Sequence, residues 1–318
     1  MSFDPSPRYD PAPPRPPGPG AVPPHLAGAG AGRNSVRTAV LMAALVGLLA
    51  MGGAAVGGTG GLLLFGGLGL AFNFASYWFS DRLALMASGA RPVTEAEAPE
   101  LYASVERLTR RAGLPMPRLY VIPSEAPNAF ATGRDPEHAA VAVTEGIMRL
   151  LDRRQLEGVL AHELSHVRNR DILIASMAAM MAGLVSSLGY MLRWGAILGG
   201  QRSDRDGPGG LELLAWALLA PLVALLLQLA VSRTREFAAD ASGAALVGDP
   251  EPLAQALLAL ERGNDLAPMA QAGPATAHLY IVNPLRGGTA RLMSLFSTHP
   301  PTEERIARLR ELRGGVGA

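Results

Sequence analysis

Apolar residues along this chain fall into two regimes: long uncharged runs, and shorter segments where they recur at helical or strand spacing. Thr38 to Ser80 holds no charged residue over 43 positions, Ile172 to Leu192 none over 21, and Leu213 to Ser232 none over 20. A bilayer crossing takes about 20 apolar residues, so the first run has room for two spans and the others for one each. The first run divides at Gly57-Gly58-Thr59-Gly60-Gly61, a glycine turn that leaves spans near 38–56 and 62–79. The other two give spans near 172–192 and 213–232, with a short polar loop at 199–210 between them. Segments 81–171 and 233–318 read instead as pieces of a folded domain. Leu101, Val105 and Leu108 keep helical spacing within 98–112, which Gly113 and Pro115 end. Arg118–Pro123 and Ala139–Thr144 read as short strands, with Asn128–Gly133 a connecting segment or edge strand between them. Asp249 caps and Pro250 opens a helix to about Arg262, and Thr302–Leu312 forms another with Glu303 and Glu304 in its first turn. The pattern therefore predicts a mainly α integral membrane protein with four transmembrane helices and a small β element.

Charge gives these spans a direction. Arg33, Arg37, Arg82, Arg91, Arg153, Arg154, Arg168, Arg170, Arg233 and Arg235 flank them on one side. Arg193, Arg202 and Arg205 lie on the other, offset by Asp204, Asp206 and Glu212. Basic residues concentrate in the cytoplasm, which places the amino terminus and segments 81–171 and 233–318 there. Residues 1–35 hold ten prolines by Pro24 and then alternate Ala and Gly, a composition that buries no apolar surface and predicts a disordered cytoplasmic tail. The net charge of +1 gives no reason to expect nucleic acid. The chain has no Cys, so any metal must be held by His and carboxylates.

Candidate chemistry centres on His162-Glu163-Leu164-Ser165-His166. Residues four apart share a helix face, so the two imidazoles can converge on one Zn²⁺, with Glu163 beside them to take a proton from the attacking water. The helix is apolar at Val159, Leu160 and Val167 and is expected to run on into the third span. The fourth span then returns the chain to the same membrane face just before Arg235-Glu-Phe-Ala-Ala-Asp240. Glu236 lies four residues past its run, about 6 Å at helical rise, and His166 six residues before its own, about 9 Å. The two helices thus meet at matching depth. Glu236 becomes a candidate third ligand, leaving a fourth position for water, and Asp240 shares its face and can hold a ligand His by its second nitrogen.

The chain resembles the HtpX membrane zinc metalloproteases, bacterial relatives of the CAAX prenyl endopeptidases. The likeness rests on Ser80-Asp81, Ala112-Gly-Leu-Pro-Met-Pro117, Pro127-Asn-Ala-Phe-Ala-Thr-Gly133, the His-Glu-Leu-Ser-His motif, Arg235 to Asp240 and Ser297-Thr-His-Pro-Pro301, in the family's order from about residue 36 onward. It implies a zincin-like α+β catalytic domain, one Zn²⁺ per chain on His162, His166 and Glu236, and Glu163 as general base. It also implies that His299 approaches the metal to stabilise the oxyanion. Asn128, Ala129 and Phe130 would form the strand edge to which an extended substrate adds itself; a plain hairpin connection is the other reading of these residues.

The function so implied is a multi-pass endopeptidase of the bacterial cytoplasmic membrane, its active site and both termini cytoplasmic. Its substrates would be misfolded membrane proteins and unfolded chains, in a stress response. Two alternatives stand beside it: a CAAX-type prenyl-peptide protease, for which more spans and a larger intramembrane chamber are expected, and a gated or inactive membrane scaffold with a peptidase domain. A metal transporter is disfavoured because the spans hold no His, Asp, Glu, Lys or Arg.

Overall fold

In the computed structural model, which describes residues 29–175, 233–266, 281 and 300–315, the first uncharged run folds back on itself. It belongs to α1 (Ala29–Ala87), whose helical geometry breaks at Gly57 and Gly58, the latter at φ 58°. Glycine takes that backbone region without the steric cost of a Cβ. The break is tighter than the five-residue glycine turn expected, and helix resumes by Thr59. The two arms then pack closely through small residues: a Cβ on Gly53 would meet the Gly61 carbonyl oxygen at 2.3 Å. Higher up, Asn73 Nδ2 donates to the Met42 carbonyl oxygen at 2.8 Å. Among the described residues one segment, Gly57–Phe79, is long and apolar enough to cross a membrane, and only 17% of its most apolar window is buried in the protein. Residues 176–232, on which most of the third and fourth expected spans fall, lie outside the described residues, as does the tail through residue 28.

The second arm of α1 continues past Asp81 and delivers its last turns to a small sheet. Strands β1 (Arg91–Pro92), β2 (Arg118–Ile122), β3 (Ala129–Thr132) and β4 (Ala140–Thr144) stand in the order β1-β2-β4-β3. β4 pairs parallel with β2, Val141 opposite Leu119, and antiparallel with β3, Ala142 opposite Phe130. Every residue of β4 is buried, the unbroken apolar run of a strand covered on both faces. One face carries Ile122, Phe130, Ala140 and Ala142 against Ala84 and Leu85 of α1. The other carries Leu119, Ala129, Ala131, Val141 and Val143 into the main helical core.

That core is built by α2 (Pro99–Ala112), α3 (Glu145–Leu150), α4 (Arg153–Arg168), α5 (Arg233–Val247), α6 (Glu251–Leu266) and α7 (Thr302–Gly315). α4 lies at its centre, with Val159, Leu160, Leu164 and Val167 all buried. Each such side chain contributes roughly 1.5–3 kcal/mol relative to leaving it exposed. A reciprocal cap starts α4: Asp152 accepts from the Gln155 amide at 2.9 Å, and Gln155 Oε1 accepts from the Asp152 amide at 3.1 Å. Asp249 caps α6, accepting from the Glu251 amide at 3.0 Å, so this helix begins one residue after Pro250. The expectation that the motif helix runs straight into the third span is wrong. α4 ends at Arg168, and Arg170 takes φ 58° before helix resumes at Ile172. The turn lets the Asp171 amide donate to the His166 carbonyl oxygen at 3.0 Å, a bond that a continuous helix would not make.

Candidate metal centre

His162 and His166 lie one turn apart on α4, and Glu236 lies opposite them in the first turn of α5. The helices approach closely because α5 presents a glycine: a Cβ on Gly243 would meet the His162 amide nitrogen at 2.9 Å. One donor atom from each of the three residues falls within 4.8 Å of the others. The separations are 3.2 Å between the two Nε2 atoms, 3.7 Å from His162 Nε2 to Glu236 Oε2, and 3.5 Å from His166 Nε2 to Glu236 Oε1. Ligands about 2.0–2.1 Å from a tetrahedral zinc stand roughly 3.4 Å apart, so the donor set has the size a zinc ion requires.

Hydrogen bonding aims these atoms. His162 Nδ1 lies 2.9 Å from Asp240 Oδ1, and His166 Nδ1 lies 3.2 Å from Asp171 Oδ2. A carboxylate on each Nδ1 assigns the proton there and turns the Nε2 lone pairs toward one point. Two lone pairs at 3.2 Å repel unless a proton or a cation lies between them, so this chemistry fits a divalent metal. Burial lowers His162 to about 4, outweighing the Asp240 bond. For His166 burial acts downward too, but the Asp171 bond and the Glu236 charge carry it up to about 9.

Behind His162 stands Arg305 of α7, 2% exposed and unread in the sequence. Its Nε and Nη2 donate to the two carboxylate oxygens of Asp240 at 2.9 and 2.7 Å, and its Nη1 donates to the Ile281 carbonyl oxygen at 3.1 Å. Burial would raise Asp240, yet Arg305 holds it down at about 2, where it stays an acceptor for His162. Asp171 likewise carries no signal in the sequence, because its role depends on the turn at Arg170. Arg305 shares a helix face with the fully buried Leu309, four residues on, and that spacing was the available signal.

Glu163 points from α4 to the sheet. Its Oε2 accepts from the Ala131 amide of β3 at 2.9 Å, and burial pushes it up to about 7. β3 is an edge strand, as the motif Asn128–Gly133 allowed, and its outward backbone groups belong to Ala129 and Ala131. Asn128, Ala129 and Phe130 are each fully buried. The Asn128 side chain accepts from the Ala129 amide at 3.1 Å, and the Ile281 amide donates to the Ala129 carbonyl oxygen at 3.3 Å. An extended peptide adding to this edge would exchange with those contacts. His299 lies outside the described residues.

The model of peptidase family M48 matches residues 95–313, more than two thirds of the chain. The chain belongs to this family. Among its M48 relatives, the "Protease HtpX homolog" of Syntrophobacter fumaroxidans is 53% identical over 279 residues, covering 87% of this chain and 98% of the relative. The protein of the same name from Thermococcus kodakarensis is 53% identical over 283 residues, covering 89% and 97%. Among solved structures, S. mikatae Ste24p is similar at TM-score 0.43 and 20% identity, over 76% of this chain and 56% of that one. This M48 peptidase is a metalloprotease, and therefore a hydrolase, of the HtpX group.

Proposed function

We propose that the chain is a zinc-dependent endopeptidase of the bacterial cytoplasmic membrane, crossing it four times and cutting misfolded membrane proteins and unfolded chains at the cytoplasmic face. The observation that carries this reading is the meeting of His162, His166 and Glu236 within 4.8 Å, with buried Glu163 bonded to the neighbouring edge strand. His162, His166 and Glu236 hold one Zn²⁺, and Asp240 orients His162. Zinc, when bound there, supplies Lewis-acid polarisation of the scissile carbonyl and acidifies a water. Glu163 takes the proton of the attacking water and hands it to the leaving amine. The edge at Asn128, Ala129 and Phe130 aligns an extended substrate through its backbone, which suits substrates without a fixed sequence. His299 keeps the role the resemblance implies, stabilising the oxyanion. A stress-response duty follows from such substrates.

The test compares wild type with Glu163→Gln, both purified in detergent, on gels over several hours with and without zinc. The general base is expected to contribute roughly 10²–10⁴-fold, so wild type should fragment itself and an unfolded protein while the variant stays whole and still binds zinc. If both stay whole with zinc bound and unfolded protein present, the endopeptidase reading fails and a gated or inactive scaffold takes its place.

A further inference from the structure

The metal centre leaves unused a polar cavity of about 290 Å³ at the far end of α1, between that helix, the start of β2 and the β3–β4 connection. Trp78, Arg82, Arg118, Arg134 and His138 line it, with the carboxylates of Asp81 and Glu137. Asp135, beside the lining, contacts both Arg134 and His138, so what each guanidinium has left for a ligand is decided by its own contacts. Asp81 is already engaged by Arg118 at 2.6 Å. Arg134 lies over Trp78, its Cζ 4.5 Å from the ring centroid, and its Nε stands 3.4 Å from Asp135. Arg82 lies 5.9 Å over Phe79 and makes no ion pair among the described residues. Two of the three cations are thus steadied by aromatic faces, and their remaining N–H donors are available to an anion.

The position of the cavity says which anion. Trp78 and Phe79, 42% and 45% exposed, end the apolar segment Gly57–Phe79 and place an aromatic pair where a membrane-spanning helix leaves the hydrocarbon. Arg134 follows Gly133, whose φ of 143° turns the chain; a Cβ there would meet Ile172 Cδ1 at 3.1 Å. Ile172 is the first residue of the second uncharged run. The ends of two uncharged runs therefore flank the Gly133-Arg134 corner, at the level of lipid headgroups. Guanidinium forks match phosphate oxygens bidentately, and anionic lipids concentrate at the cytoplasmic surface.

We propose that this cavity binds the phosphate of an anionic phospholipid, with Arg82 and Arg134 donating to its oxygens and Trp78 lying against its glycerol backbone. The proposal rests on the membrane-surface reading given above. It also has a consequence for the active site. Arg134 stands two residues beyond Thr132, the end of β3, so a bound lipid fixes the substrate edge relative to the bilayer.

The full chain carrying Glu163→Gln, which keeps it intact, is titrated in detergent with phosphatidylglycerol or phosphatidylcholine and the retained lipid counted by native mass spectrometry. The same is done with Arg82→Gln plus Arg134→Gln, with the matching pair of Lys substitutions, and with Arg310→Gln of α7 as control. Phosphatidylglycerol is expected to be preferred. The preference should fall about fivefold for each arginine lost to Gln, by less for Lys, which keeps charge without the fork, and not for Arg310→Gln. An undiminished preference in a Gln pair that melts and binds zinc like its parent overturns the site. Displacement of phosphatidylglycerol by millimolar inorganic phosphate overturns the lipid assignment in favour of free phosphate. Alkaline carbonate extraction of the parent from vesicles separates the two readings. Release from the vesicles sinks the membrane reading itself, whereas retention without a lipid preference sinks the site alone.

Discussion

Asp240 accepts from a His162 ring nitrogen and from two nitrogens of Arg305, so one carboxylate links the metal candidate to the carboxy-terminal helix. Asp240→Asn keeps the shape but removes the charge. It offers one amide oxygen to donors that now share a carboxylate, and it leaves buried Arg305 with only the more distant Glu236, 4.0 Å away, as counter-charge. Zinc affinity, read by competition with a chelator, should fall about 10–100-fold, the usual effect of losing a carboxylate behind a ligand His. Stability should fall by roughly 3–5 kcal/mol as well, because a buried ion pair has lost one member. Unchanged affinity would remove Asp240 from the centre. These contacts were only half legible in the sequence. Asp240 could be read because it shares the helix face of Glu236. Arg305 was hidden in Thr-Glu-Glu-Arg-Ile-Ala-Arg-Leu-Arg, where a solvated helix face and a buried cation give the same letters, and Asp171 because its role needs a turn that the pattern did not announce.

At the scale of elements, two glycines of the helical layer make opposite predictions about the site. A Cβ on Gly243 of α5 would meet His162 backbone atoms at 2.9 and 3.1 Å, while one on Gly158 of α4 would meet Leu253 of α6 at 2.9 Å. Gly243→Ala must push α5 off α4 and carry Glu236 with it. Gly158→Ala instead pushes on α6, which bears no candidate ligand. Both should destabilise by about 1–3 kcal/mol from overpacking, less up to ~1 kcal/mol regained in helix propensity. Only Gly243→Ala should weaken zinc binding, measured by the same chelator competition. Equal losses of affinity in both variants would mean that the helix packing does not set the ligand geometry. The elements themselves were mostly visible beforehand: the α1 hairpin from its glycines, β2 and β4 from their short apolar runs, α4 from its motif and apolar positions, α6 and α7 from their first turns. The sheet order was not, since β1 is two residues long and the parallel pairing of β2 with β4 leaves no local signature.

For the molecule as a whole, the centre joins parts of the chain that are far apart in sequence: α4 at 153–168, α5 at 233–247 and, through Arg305, α7. Sequence reasoning reached the first two from the expectation that two crossings of one bilayer return the chain to the face it left. What holds the three together without metal is apolar packing around Leu160, Leu164, Leu257 and Leu309. Against it stands a pocket where Glu163 and Glu236 are buried together, each 4% exposed. A bound divalent cation neutralises that pocket and ties α4 to α5, so it stabilises the folded state by RT ln(1 + [L]/Kd), about 4 kcal/mol at a thousandfold excess over Kd. Chelation of the detergent-solubilised Glu163→Gln protein should therefore lower its melting temperature by roughly 8–16 °C, with zinc restoring it. Glu236→Gln in the same background should show little of this zinc-dependent shift, because the tie between the two helices has lost its carboxylate. If chelation leaves the melting temperature in place while zinc is shown to have left, the two halves are closed by packing alone, and the metal serves only the chemistry.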